Sequence, residues 1–213
     1  MSLVLDLIFP KNCLVCHKSG HYLCPNCLSQ QIRKSIQPPP KKSGCEGCLS
    51  LFKYNSLIKQ SIAQLKYNFV TDISPELVSI MAKEIKSNFP HLLAYWQSHN
   101  FVLVPIPLYH LRQNWRGFNQ SVLLGQSLAQ KLKLKFSDQI LTRIKNTHSQ
   151  AKLVDKLTRK SNLKDAFVCS TKNTPSNIIL FDDVTTTNST FNSAYKSLSC
   201  VAQIHCWYLS LAG

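Results

Sequence analysis

Acidic residues are scarce in this chain: 10 Asp and Glu stand against 25 Lys and Arg in 213 residues. The formal net charge of +15 points to a polyanionic partner or an anionic ligand, with nucleic acid as the first candidate. Long hydrophobic runs are also missing, since no segment approaches the roughly 18 apolar residues of a membrane span. Residues 1–10 lack the basic start and the cleavage signature of a secretory leader. These absences predict a cytoplasmic protein without a membrane span.

The positive charge is concentrated in residues 112–165, which contain twelve basic and three acidic residues. Neutralising several phosphates with such a segment would give salt-sensitive binding of nucleic acid without sequence preference. Trp115 and Phe118 are candidate platforms for unpaired bases, although either can serve loop packing instead. A solvated, solubilising surface explains the charge equally well, so composition alone leaves both interpretations open.

Six of the nine cysteines form Cys-x-x-Cys pairs. Seven residues separate Cys13 and Cys16 from Cys24 and Cys27, a spacing compact enough for both pairs to face one tetrahedral zinc ion. A purely redox role needs only one pair, and disulfides are disfavoured in the cytosol. The four thiolates therefore predict a structural zinc site.

The other cysteines fit that site less well. Cys45 and Cys48 form a third pair, and the sequence has no fourth pair to complete a second zinc site. We interpret them as a half-site, whose cysteines could also replace ligands of the first zinc site. Cys169, Cys200 and Cys206 are predicted to be buried apolar residues rather than ligands.

The chain divides into a small module and a larger domain. The proline-rich stretch at residues 37–43 reads as an extended linker, so residues 1–50 are interpreted as a zinc-binding knuckle with its linker and residues 51–213 as the main domain. Within residues 1–50, the apolar stretch 3–9 is predicted to form one or two helical turns.

In the main domain, apolar strands alternate with helices, which predicts an α/β fold with a mainly parallel, twisted sheet flanked by helices. The predicted strands are 101–104, 178–181 and 201–209, and the predicted helices are 57–67, a helix capped by Ser74, 122–132 and 191–198. Ligands of such sheets bind beyond the carboxyl ends of the strands, where Pro105–Pro107 and Asp182–Asp183 lie.

Asp182 and Asp183 follow the apolar strand at 178–181 directly. Because an unpaired buried charge is costly, both carboxylates are predicted to face solvent, a metal ion or hydroxyl groups. The hydroxyl-rich run at 185–190 then leads into a helix, whose N-terminus and backbone N–H groups can form an anion cradle. A carboxylate pair beside an anion cradle suits a sugar phosphate; the alternative is an ordinary polar turn.

Residues 178–190 resemble the phosphoribosyl pyrophosphate (PRPP) motif of type I phosphoribosyltransferases. The resemblance implies that Asp182 and Asp183 bind the ribose hydroxyls, with Mg²⁺ accompanying the ligand. It assigns the phosphate to a group of loop residues, Thr186, Thr187, Asn188, Ser189 and Thr190. Asn188 replaces the motif's glycine: Asn tolerates a positive φ, but its side chain occupies space that glycine leaves for the ligand.

A second string, Val-Pro-Ile-Pro-Leu at 104–108 followed by Arg-Gly-Phe-Asn-Gln at 116–120, is similar to the signature of the ComF family. The resemblance extends to segments 57–67 and 142–167 and to the cysteines, so it spans nearly the whole chain. It implies that Pro105 and Ile106 contact the pyrophosphate and that Arg116 lies with them. It also implies a role in moving single-stranded DNA into the cytoplasm, beside a competence helicase.

Three functions remain open on the sequence. The first is a competence factor that handles single-stranded DNA and retains a PRPP pocket. The second is a working phosphoribosyltransferase on an unidentified nucleobase or amine, although the sequence identifies no general base. The third is a zinc-containing interaction module whose pocket is vestigial. The sequence favours the first.

Overall fold

The computed structural model describes residues 10–30, 36–38, 44–67, 70–146, 166–170, 174–201 and 203–213. The predicted helical turns at 3–9 lie outside these residues, as do most of the linker and the part of the basic segment between 147 and 165. No helix within the described ranges has both the length and the apolar character needed to cross a membrane.

The described helices are α1 (Pro25–Ser29), α2 (Ser56–Tyr67), α3 (Ser74–Asn88), α4 (Pro90–Ser98), α5 (His110–Arg116), α6 (Gln120–Leu132) and α7 (Ser189–Ser199). The strands are β1 (Ile36–Gln37), β2 (Gly47–Phe52), β3 (Val102–Pro105), β4 (Lys135–Phe136), β5 (Leu141–Arg143), β6 (Phe167–Cys169), β7 (Asn177–Val184) and β8 (His205–Ala212). The four predicted helices and three predicted strands are all present, with shifted ends.

Six strands form one sheet in the order β1-β2-β8-β7-β3-β4. Every neighbouring pair is parallel except β1 and β2, so the prediction of a mainly parallel α/β sheet is confirmed. Strands β5 and β6 form a separate antiparallel pair. Strand β2 crosses residue 50 and pairs with β8, so the predicted boundary at that residue cuts through a strand of the sheet.

Helices cover both faces of the sheet, because successive side chains of a strand point to opposite faces. On β7, Ile179 and Phe181 belong to the core beneath helices α2, α3, α4 and α6, whereas Ile178 and Leu180 belong to the core beneath α7. A strand buried on both faces reads as a continuous apolar run, which is why β7 was recognisable in the sequence.

Candidate functional site

The carboxylate pair lies within β7 rather than after it, since the strand continues to Val184. Asp182 is half-buried, and its Oδ1 accepts a 2.7 Å hydrogen bond from the Ser121 hydroxyl at the start of α6. Asp183 is 2% exposed. The prediction that both carboxylates face solvent, a metal ion or hydroxyl groups is therefore wrong for Asp183, which is buried.

The buried Asp183 has a cationic partner that sequence reasoning did not assign. Lys66 Nζ, in the last turn of α2, lies 2.5 Å from Asp183 Oδ2. Burial acts to lower the pKa of Lys66, but the Asp183 and Asp182 carboxylates outweigh burial and raise it. Lys66 therefore stays charged and compensates the buried carboxylate, which is how a charge can be tolerated there.

Among the described contacts, Asp182 forms no ion pair like that between Asp183 and Lys66. Its pKa is raised above that of an ordinary carboxyl group. Burial and then the charge of Asp183 raise the pKa of Asp182 to about 7, against the lowering effects of Lys66 and Ser121. Two carboxyl groups in adjacent positions ionise less readily than one. Asp182 thus changes protonation near neutral pH, where a carboxyl group is usually fully ionised.

The loop after β7 contains a residue in the left-handed conformation, at the position of the motif's glycine. Asn188 has a φ of +54° and immediately precedes α7, so asparagine supplies the left-handed conformation of the motif's glycine. Its side-chain Oδ1 accepts a 2.8 Å hydrogen bond from the Thr185 hydroxyl. Thr187 and Ser189 share a 2.8 Å hydrogen bond between their hydroxyls, and the loop thereby presents an ordered row of polar groups at the N-terminus of α7.

Strand β3 brings the second predicted string to the same edge. Pro105 pairs with Phe181 of β7, and the Ile106 N–H donates to the Phe181 carbonyl at 2.8 Å. The Asn119 side chain donates to the Ile106 carbonyl at 3.1 Å and also caps α6. The Pro-x-Pro loop and Asp182 therefore emerge from neighbouring strands.

Arg116 is buried beside this edge. Its Nη1 donates to Gln120 Oε1 at 2.5 Å, and its guanidinium lies 5.7 Å from the centre of the Tyr67 ring. Within the part of the chain that the structure describes, its buried Nε has no hydrogen-bond acceptor. Burial lowers the pKa of Arg116, although the group remains a cation at any physiological pH.

Two further arginines contribute charge near the carboxylates. Burial and the charge of Arg112 lower the pKa of Arg143, while Asp182 opposes them. Lys66, Arg116 and Arg143 each interact electrostatically with at least one of the two carboxylates, and Arg112 interacts with both of the other arginines. The four cations together favour an anion at this edge.

The two predicted aromatic platforms differ in the structure. Trp115, on α5, is 64% exposed. Phe118 instead packs against the core beneath α6. Tyr67, at the end of α2, is 59% exposed and adds a second accessible ring near Arg116.

The four cysteines of the first two pairs converge as predicted. One ligand atom from each of Cys13, Cys16, Cys24 and Cys27 lies within 4.8 Å of the others, and Cys16 Sγ and Cys24 Sγ are 3.6 Å apart. Burial acts to raise the pKa of Cys13, but backbone hydrogen bonds from Cys16, Cys24 and Val15 lower it to about 6. A thiolate held by N–H groups suits a bound cation, so this cluster can hold a metal ion.

Glu76 connects the segment of the cysteine cluster to helix α3. Its two carboxylate oxygens accept hydrogen bonds from the Tyr22 and Leu23 N–H groups, at 3.2 Å and 2.9 Å. Glu76 was not among the predicted site residues. The predicted cap of α3 is wrong by one residue, because Ser74 is already helical and Ile73 occupies the capping position.

The remaining cysteines only partly follow their predictions. Cys206 is fully buried, as predicted, but Cys200 is exposed and Cys169 is half-buried. Cys45 and Cys48 lie in the core beneath α7 and not in the four-cysteine cluster.

The fold and the site define a class: an α/β protein with a mostly parallel sheet and an N-terminal cysteine cluster that can hold a metal ion. No family model matches the chain. Proteins similar to it include competence and DNA utilization proteins. Competence protein F of Haemophilus influenzae is 39% identical over 115 residues, which are 52% of this chain and half the length of that protein.

Two further relatives match a larger share of the chain. DNA utilization protein YhgH of Salmonella typhimurium is 31% identical over 192 residues, covering 84% of this chain and 79% of that protein. Competence protein ComFC of Bacillus subtilis is 28% identical over 193 residues, covering 87% and 70%. The chain belongs to the ComF family.

Proposed function

We propose that the chain assists the uptake of single-stranded DNA during natural transformation and binds PRPP with Mg²⁺ at the carboxyl edge of its sheet. The names of the relatives, which are competence and DNA utilization proteins, support the role in DNA uptake. A competence helicase and a cytoplasmic location belong to the same proposal. The four-cysteine cluster would hold Zn²⁺ as a structural ion.

The observation that carries the pocket is the convergence of Asp182, the loop at 185–190 and Arg116 on one edge of the sheet. Asp182 is the accessible carboxylate, so we assign it the ribose hydroxyls; Asp183 would act through Lys66 and the backbone. The buried Nε of Arg116 offers a donor to an anion near Pro105 and Ile106. The five loop residues that the motif assigns to the phosphate keep that proposed role: Thr186, Thr187, Asn188, Ser189 and Thr190.

Bound Mg²⁺ would neutralise charge on the pyrophosphate. The chain's own contribution is to fix the ligand's position. Backbone N–H groups at the start of α7 and the hydroxyls beside them favour a phosphate there, since helix N-termini carry partial positive charge. The paired Lys66 and Asp183 keep the end of β7 in place beneath the ligand. The type I phosphoribosyltransferase fold is part of this proposal.

Calorimetric titration with PRPP and Mg²⁺ tests the pocket. We expect Asp182→Asn to weaken binding about tenfold or more, because a charge-assisted hydrogen bond contributes about 1.5–3 kcal/mol. Asp138→Asn changes the same chemical group on an exposed turn and is the matched control. Wild-type protein without measurable binding would refute the pocket, and equal affinities in the two variants would remove Asp182 from it.

The raised pKa of Asp182 gives a pH dependence with a definite sign. Because that pKa is about 7, lowering the pH below 7 protonates a carboxylate that we assign to the ribose hydroxyls. Affinity for PRPP should therefore fall as the pH falls from 8 to 6, by more than the titration of the ligand's own phosphates explains. Calorimetry across this range in the wild type and in Asp182→Asn measures the difference. Parallel profiles would contradict the assignment.

Binding of single-stranded DNA is tested through its salt dependence. Each phosphate neutralised on a single strand contributes about −0.7 to the slope of log K against log salt. Replacing the three exposed lysines at 131, 133 and 135 with glutamine should reduce that slope by about 2 units. The matched control replaces the exposed lysines at 59, 83 and 86, on α2 and α3. An unchanged slope in the first variant would place the DNA elsewhere.

A second candidate function, phosphoribosyl transfer to a nucleobase or an amine, is favoured by one observation. An Asp182 pKa of about 7 suits a group that accepts and releases a proton during a reaction. Transfer would break the bond between the ribose C1 and pyrophosphate and form a bond from C1 to the acceptor nitrogen, whose proton passes to a base. Release of pyrophosphate in the presence of an acceptor panel, lost in Asp182→Asn, would establish it. A panel without release would leave binding as the function.

A further inference from the structure

The proposed function leaves one cysteine pair unused. Cys45 Sγ and Cys48 Sγ lie 3.8 Å apart, and each residue is 6% exposed. The pair lies at the start of β2, in the core on the α7 side of the sheet. This separation is too long for a disulfide bond, which is about 2 Å, but it brings the two sulfur atoms into contact.

The backbone around the pair is tightly constrained. Gly44 has a φ of +66°, and a Cβ there would overlap the Tyr195 hydroxyl. A Cβ at Gly47 would overlap the indole ring of Trp207. Only glycine at these two positions leaves room for the rings of Tyr195 and Trp207, which pack directly against the backbone. The backbone that carries the two thiols is therefore held closely against the sheet.

A third buried thiol belongs to the adjacent strand. Cys206 on β8 is fully buried, and its carbonyl accepts a 2.8 Å hydrogen bond from the N–H of Glu46, which lies between the paired cysteines. Gly47 pairs with Trp207, which places Cys206 beside the start of β2. The neighbouring carboxylate of Glu46 is already occupied by His205 Nδ1 at 2.6 Å and Trp207 Nε1 at 2.8 Å.

The sulfur separation matches that of metal ligands. With metal–sulfur bonds of about 2.3 Å, two thiolates of a tetrahedral site lie about 3.8 Å apart. The corresponding distance between Cys16 and Cys24 is 3.6 Å. Among the described residues, the four-cysteine cluster alone has three or more ligand atoms within 4.8 Å of one another. Cys206, whose Sγ now lies 3.7 Å from the Trp207 carbonyl, must therefore turn about its Cα–Cβ bond to complete a three-sulfur site.

We propose that Cys45, Cys48 and Cys206 together bind one thiophilic cation, Zn²⁺ or Cu⁺, separately from the N-terminal cluster. Soft thiolate ligands select these two ions, and a three-sulfur set without a carboxylate excludes Mg²⁺ and Ca²⁺. Binding displaces the thiol protons to solvent. The site lies where β2 meets β8, so its occupation ties these two strands together. It is independent of the proposed PRPP pocket.

Native mass spectrometry of the full chain tests the proposal. The protein is reduced, stripped of metal and titrated with Zn²⁺, or with Zn²⁺ followed by Cu⁺. We expect two metal ions per wild-type chain and one in Cys48→Ser, the remaining ion belonging to the N-terminal cluster. The mass of the second ion identifies it as zinc or copper. Cys206→Ala should lower the affinity for the second metal ion at least tenfold and leave binding of the first ion unchanged.

Cys200→Ser is the matched control, because Cys200 is an exposed cysteine outside both clusters, and it should retain two ions. If Cys48→Ser does not fold, the two remaining measurements still decide: the Cys206→Ala titration and X-ray absorption of the wild type, which counts sulfur ligands per metal. A wild-type chain that holds a single ion at saturation would overturn the proposal. So would a second ion that survives in both variants, or a Cys45–Cys48 disulfide that persists after the reduction step.

Discussion

Removing the metal ion from the N-terminal cluster is expected to unfold residues 10–30 and leave the main sheet intact. Structural Zn²⁺ contributes about 10–16 kcal/mol of apparent binding free energy in small zinc modules, and this is also the free energy that folds them. Apart from the cysteine cluster, few buried apolar groups hold this segment; Leu23 is one of them. Without the ion, Cys27 retains a proton, since its hydrogen bond to Cys24 and its burial raise its pKa to about 12.

Hydrogen–deuterium exchange of the full chain, with and without a chelator, measures this effect. Protection should be lost in residues 10–30, and Cys24→Ser should reproduce the loss without chelator. Cys200→Ser provides a cysteine replacement outside the cluster. Because Glu76 accepts hydrogen bonds from Tyr22 and Leu23, the start of α3 should lose some protection as well. Unchanged exchange in residues 10–30 after metal removal would contradict a structural role for the ion.

The second large effect concerns the ion pair beneath the pocket. Asp183→Asn is expected to lower the free energy of unfolding by about 3 kcal/mol, because it removes the close partner of the largely buried Lys66 and leaves only the attraction of Asp182 to compensate its charge. Lys66→Met should have a similar effect by isolating the carboxylate. The double variant should regain most of the loss, since replacing both partners with neutral groups removes the uncompensated charge.

Urea unfolding of the wild type, the two single variants and the double variant forms a complete cycle. A coupling free energy well above 1 kcal/mol confirms that the pair acts as a unit. Additive effects would show that Lys66 and Asp183 stabilise the protein independently, and Asp183 would then be open to a direct role in binding. The exposed pair Lys83→Gln and Asp138→Asn, in separate elements, gives the additive baseline.

Much of the sheet was predictable because its central strands are apolar on both faces. Strands β3 and β7 read as short continuous apolar runs, and α6 showed helical spacing. Strand β2 was missed because its sequence begins inside the third cysteine pair, which drew residues 47–50 into the N-terminal module. Only pairing with β8, far along the chain, shows that these residues belong to the sheet.

The sequence predicts the motif of the candidate site, but it does not predict which side chains from other elements contact that motif. The loop at 185–190 and its left-handed residue, Asn188, followed from residue types alone. The burial of Asp183 did not, because its partner Lys66 is more than one hundred residues earlier in the chain. The available signal was Lys66, which directly follows the buried Leu65 in a helix, α2, whose buried positions are almost all apolar.

Strand β8 has a consequence for how the protein is made. It lies between β2 and β7, although it follows both of them in the sequence. While the ribosome is still adding residues 205–212, the β1–β2 hairpin and the β7-β3-β4 half-sheet each present an edge with no strand to pair with. Such edges invite pairing with other nascent chains. Residues 205–212 therefore join the two parts of the sheet and close both edges.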